Sequence, residues 1–166
     1  MRFFVFRIAL VIGFVCIQAC GESAAPELSF PRDYSWYADS SLGFRIAYPS
    51  HWDDSHPKTG SMDDAILGGA HFPAIPDSFH VQLDITVMGS GYDLERFRSN
   101  YDADETEIAG LTAYVATGTV MGTSQKMAVF PGNGRYFFVQ CVANPKYFGD
   151  YGAIFDDILG SFEMID

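Results

Sequence analysis

Apolar and polar residues alternate along much of this chain, most cleanly from Phe79 to Met88. There Phe79, Val81, Leu83, Ile85 and Val87 share one face of an extended segment, while His80, Gln82, Asp84 and Thr86 share the other. Five apolar residues on one side require a packed partner. The same period of two runs through Phe44, Ile46 and Tyr48, with Arg45 and Ala47 between them and Pro49 as a stop. Ile66 to Phe72 reads as a short strand weakened by Gly68 and Gly69. Three further strands are expected at Leu111 to Val120, Ser124 to Phe130 and Arg135 to Ala143, the last two joined as a hairpin by Pro131-Gly132-Asn133-Gly134.

The period changes twice. After Asp93, an N-cap residue type, Leu94, Phe97 and Tyr101 recur at helical spacing, and Glu95 sits in the first turn where the helix dipole favours an acid. After Asn144-Pro145, the stripe Phe148, Tyr151, Ile154, Phe155, Ile158, Leu159 and Phe162 marks a closing helix. Gly149, Gly152 and Gly160 each cost about 0.5–1 kcal/mol there relative to Ala, so packing must hold it. Between the first strands, Ser50 to Asp64 is a polar loop. The order of elements predicts an α+β domain over 34–166, an antiparallel sheet covered by helices.

Ahead of that domain the pattern is of another kind. Arg2 and Arg7 precede an apolar run from Ile8 to Ile17, too short to cross roughly 30 Å of hydrocarbon as a helix and suited to a signal peptide. Ile17-Gln18-Ala19-Cys20 resembles the lipobox of bacterial lipoproteins, in which the peptidase cuts before a cysteine that carries diacylglycerol. Residues 1–19 are then the signal peptide, Cys20 is the lipidation site, and the Pro-containing stretch 20–33 is a tether. Two or more acyl chains, at about 0.8 kcal/mol per buried CH₂, give a stable anchor. Gly21 stands where an Asp would suggest inner-membrane retention, which favours the outer membrane, facing the periplasm, in a cell with two membranes.

Charge and composition narrow the partners. Of 166 residues, 48% are hydrophobic and 16% aromatic, enough for one cored domain and contrary to disorder. Net charge is −11, and loss of Arg2 and Arg7 with the signal peptide takes it to −13, which argues against nucleic acid and anionic lipid surfaces as electrostatic partners. With Cys16 removed and Cys20 acylated, Cys141 has no partner for a disulfide within the chain and reads as a small core hydrophobe.

The stretch Leu42-Gly43-Phe44-Arg45-Ile46-Ala47-Tyr48-Pro49-Ser50-His51-Trp52 resembles the opening of PsbP-like domains, a group that includes DcrB-type and LpqN-type bacterial lipoproteins. The similarity runs in chain order to Ile158-Leu159-Gly160-Ser161-Phe162. It implies an α/β/α sandwich and an accessory or binding role within complexes, and supplies no catalytic residues. Trp52 is expected either as an apolar plug behind the strand or as an aromatic contact for a partner.

Strings that carry enzymatic chemistry do not occur: there is no Gly-x-Ser-x-Gly, phosphate loop or His-Glu-x-x-His. Ligand-type residues cluster only at His51, Asp53, Asp54, His56, Asp63 and Asp64, where imidazoles and carboxylates could hold a divalent metal such as Zn²⁺. Their spacing fits no standard site. Asp102 to Glu107 starts like a calcium loop but has Glu107 and Ala113 where Gly and Glu are needed, and reads as an acidic surface turn. His71 and His80 lack an evident carboxylate partner. The expectation is a non-catalytic, lipid-anchored protein of the bacterial envelope that needs no cofactor beyond its lipid and binds an envelope protein or small ligand. The rival is metal binding or metal-dependent catalysis by the His51 to Asp64 loop.

Overall fold

The computed structural model describes residues 33–53, 65–74 and 81–166. Strands β1 (Tyr34–Asp39), β2 (Phe44–Pro49), β3 (Ile66–Pro73) and β4 (Val81–Met88) come first, followed by helix α1 (Leu94–Tyr101). Then come β5 (Asp104–Ile108), β6 (Leu111–Val120), β7 (Thr123–Gly132) and β8 (Arg135–Ala143), helix α2 (Gly152–Gly160) and the short β9 (Glu163–Met164). The strands form a six-stranded antiparallel sheet ordered β3-β4-β8-β7-β6-β5 and a small one ordered β1-β2-β9.

Tight turns fix the register of the larger sheet. Ile108 pairs with Leu111, Val120 with Thr123 and Gly132 with Arg135, so that each hairpin turns on two residues. Those residues, Ala109-Gly110, Met121-Gly122 and Asn133-Gly134, all have positive φ, as the turn matching the twist of paired strands requires. Gly69 is needed for another reason: a Cβ there would collide with the Ile85 carbonyl oxygen of the neighbouring strand.

The two faces of the large sheet bury different clusters. Leu83, Ile85, Phe137, Val139, Cys141, Ala128 and Phe130 face β2 and α2, where they meet Phe44, Ile46, Phe155, Ile158 and Phe162. Phe162 stacks on Phe130 with ring centroids 4.3 Å apart, and Tyr48 on Phe72 at 4.5 Å. On the opposite face Phe97 of α1 packs edge-on against Phe138, over Met127 and Val129. One layer thus holds α2 and the small sheet, the next the large sheet, and the third α1.

A single hydroxyl ties the first layer together. Beyond the two residues of β2 that pair with β9, the Ala47 N–H donates to Ser161 Oγ at 2.8 Å, and Ser161 Oγ–H donates to the Ile158 carbonyl at 2.6 Å. All three residues are buried. The side chain continues the ladder where the strand has run out.

The antiparallel sheet and both helices agree with the sequence pattern, while four details differ. Asp102 to Glu107, expected as an acidic surface turn, lies mostly in edge strand β5 (Asp104–Ile108): four of the five strand residues are exposed, so no apolar alternation marks it. Tyr34–Asp39 and Glu163–Met164 are strands that the pattern did not show. The closing helix is shorter than its stripe, because Phe148 and Tyr151 lie in turns before α2 and Phe162 follows it. The β7–β8 turn is Asn133-Gly134 alone, Pro131 and Gly132 being in the strand. The signal peptide, Cys20 and nearly all of the tether lie outside the described residues, as do Phe79 and His80. No helix among the described residues is long and apolar enough to cross a membrane.

Candidate functional site

Four adjacent strands bring polar side chains together on the face of the large sheet that α1 covers only in part. Register places His71 opposite Asp84 and Asp84 opposite Gln140, with Gln125 on the same face of the next strand. His71 Nδ1 lies 2.8 Å from Asp84 Oδ1, Gln82 Nε2 donates to Asp84 Oδ2 at 2.5 Å, and Gln140 Nε2 donates to Gln125 Oε1 at 2.6 Å. Gln125 Nε2 in turn donates to Thr123 Oγ1. Asp84 is 5% exposed and Gln125 7%, so hydrogen bonds compensate for the water they have lost.

Chemically, the array orients a histidine. A carboxylate accepts only, so Asp84 places the His71 proton on Nδ1 and leaves Nε2 as the acceptor of the neutral ring. The His71 side chain is 26% exposed, so the ring is not sealed from solvent. This corrects the expectation that His71 has no carboxylate partner. The pairing was missed because it depends on β3–β4 register rather than on a local motif; the signal was the place of Asp84 on the polar face of β4.

Of the candidate ligands and the aromatic singled out in the stretch 51–64, the described residues include His51, Trp52 and Asp53. His51 is exposed in the turn after β2 and Asp53 is half-buried, its backbone N–H donating to the Pro73 carbonyl at 3.0 Å. Asp54, His56, Asp63 and Asp64 lie outside the described residues. Among the described residues no three His, Cys, Asp or Glu side chains gather as a metal site would need. Trp52 is 4% exposed and packs near Tyr151 at 6.4 Å, which makes it the apolar plug rather than a surface contact. The most exposed aromatic among the described residues is Trp36 on β1, 47% exposed, with the Arg45 guanidinium 5.1 Å above its ring and an Arg45–Glu163 ion pair at 2.6 Å beside it.

Burial sets the chemistry of two other groups. The Cys141 thiol is fully buried, which pushes its pKa far up and keeps it protonated. The Tyr34 hydroxyl donates to Asp157 Oδ2 at 3.4 Å, and burial, followed by the Asp157 charge, pushes its pKa up to about 12. At the β1–β2 turn, burial would raise the Asp39 carboxyl, but donors from Ser41 Oγ and from the Leu42 and Ser41 backbones hold it below its ordinary value.

No family model matches the sequence, and no curated protein matches it. Solved structures do. The cyanobacterial PsbP (CyanoP) of Synechocystis superposes with a TM-score of 0.59 at 14% identity, covering 89% of this chain and 98% of its own. A protein from Bacteroides thetaiotaomicron gives 0.57 at 12% identity over 81% of this chain and 49% of its own. LpqN of Mycobacterium tuberculosis, involved there in cell envelope biogenesis, gives 0.36 at 13% identity over 82% of this chain and 80% of its own. At these identities the first two superpositions bear on architecture, and the described domain has the PsbP-like fold.

Proposed function

We propose that this chain is a non-catalytic accessory or binding domain of the bacterial envelope, held at the membrane by lipid on Cys20. The observation that carries the reading is the string Ile17-Gln18-Ala19-Cys20, which resembles a lipobox, ahead of a sheet-built domain with the PsbP-like fold. The net charge of −11 supports a protein surface rather than nucleic acid as the partner. The polar array adds to this, since His71, Gln82, Asp84, Gln125 and Gln140 are engaged mainly with one another.

Labelled palmitate fed to bacteria expressing the whole chain tests the anchor. Label is expected in the wild-type protein and not in Cys20→Ser, with the wild type in the membrane fraction. Equal labelling of both, or of neither, would remove the envelope placement. Crosslinking in cells followed by purification is then expected to recover a reproducible envelope protein.

A further inference from the structure

The β6 strand is longer than its outer neighbour. β5 pairs with it only from Asp104↔Val115 to Ile108↔Leu111, whereas β6 continues to Val120 along β7. Among the described residues, 116–120 therefore have a strand on one side alone.

Register shows which backbone groups face outward. Residues flanking a two-residue hairpin form a hydrogen-bonded pair, and the direction of N–H and C=O alternates from there. Val120↔Thr123 directs even-numbered residues of β6 toward β7, and Ile108↔Leu111 independently directs odd-numbered ones toward β5. Thr117 and Thr119 thus point both backbone groups away from the sheet, and neither has a backbone partner among the described residues. Both are exposed, and the space over Gly118 between them is open, since a Cβ there would meet no atom within 4 Å. At the hairpin tip the Met121 side chain is fully exposed.

Charge selects the occupant. Asp102, Asp104, Glu105 and Glu107 are all exposed where β5 begins and along its length. A second copy of a chain with net charge −11 would bring the same acids against them. We infer that the β6 edge at Thr117 to Thr119 is a docking site for an extended, Lys- or Arg-bearing segment of a partner protein, added as a strand in line with β5. The main chain supplies the pairing, the acids select a basic segment, and Met121 offers an apolar contact. This rests on the accessory reading above and names its surface.

The test uses the intact protein and a peptide of alternating Lys and Val. Amide exchange at Thr117 and Thr119 is expected to slow by about tenfold or more on peptide addition, as for newly paired strand amides. A Glu-for-Lys peptide is expected to give no such protection. Thr119→Pro removes an outward N–H at an edge that tolerates proline, and is expected to abolish binding while leaving the melting temperature nearly unchanged. Asp104→Lys, at an exposed position, is expected to weaken binding and serves as a second variant should proline disturb the strand. Unchanged exchange at saturating peptide, equal binding by Thr119→Pro, or protection that grows with protein concentration alone would each overturn the inference. If crosslinking in cells recovers the same partner on wild type and Thr119→Pro, this edge is excluded while the accessory reading stands.

Discussion

Replacing Ser161 with Ala removes one buried hydroxyl and breaks two hydrogen bonds, one of which joins β2 to the end of α2. The Ala47 N–H loses its acceptor and the Ile158 carbonyl loses a donor, in a region with no exposed surface to admit water. The carbonyl still accepts from the Ser161 N–H at 3.1 Å, so its loss is partial. The amide is the costly group, since leaving a buried donor unsatisfied costs about 1–3 kcal/mol. The expected destabilisation is about 2 kcal/mol. For a domain of this size, each kcal/mol moves the melting temperature by about 3–5 °C, which places the variant roughly 6–10 °C below wild type. Urea unfolding followed by circular dichroism should show a lower midpoint at unchanged slope. Ser35→Ala, which breaks an exposed 2.9 Å contact with Ser50 Oγ, is the control and is expected within about 0.5 kcal/mol of wild type. A Ser161→Ala loss no larger than the control would mean that Ala47 reaches water or another acceptor, and the hydroxyl would not be the link described.

Four other outcomes are expected. Cys141 should resist alkylation in the native protein and react on unfolding, checked by mass spectrometry of its peptide; native modification would place the thiol outside the core. Nitrogen NMR of the His71 ring should show the proton of its neutral form on Nδ1, and the opposite tautomer would refute the orienting role of Asp84. Tyr34 and Tyr92, each held at about 12 chiefly by burial, bind a proton more tightly folded than unfolded, so stability should fall as pH rises from 10 toward 12. A Tyr34→Phe, Tyr92→Phe double variant should lose less over that range, and an identical loss would exclude the linkage. Calorimetry with Zn²⁺ should give the same weak heats for wild type and a His51→Ala, His56→Ala variant, whereas a saturable heat lost in the variant would make the loop a metal site.

Those parts of the fold that bury one face of a strand were legible from alternation alone. β4 shows it best, because every second residue meets the core cluster, whereas β8 was read from a nearly continuous apolar run and packs against apolar residues on both faces. β5 was unreadable for the converse reason: an edge strand with four of its five residues exposed offers one apolar residue, Ile108, and so no alternation, and its acids resemble those of a turn. The stripe around α2 marked its buried face correctly but not its length, since Phe148, Tyr151 and Phe162 reach the same core without being helical. The polar array was half visible. Gln82 and Asp84 stood on the polar face of β4, but His71 joins them only through register, and Gln140 and Gln125 arrive from strands much later in the chain. Trp36 gains its cation from β2 and that cation its acid from β9, a set no local window contains.

The three two-residue turns also govern the timing of assembly. β5 to β8 form an uninterrupted meander whose contacts span few residues, and such local pairings close early and at little entropic cost. β4 must instead wait for β8, the strand furthest along the chain among the six, before its second edge is covered. A chain that emerges amino end first holds the β3–β4 hairpin with an open edge until the meander follows, and that interval is the one most exposed to aggregation.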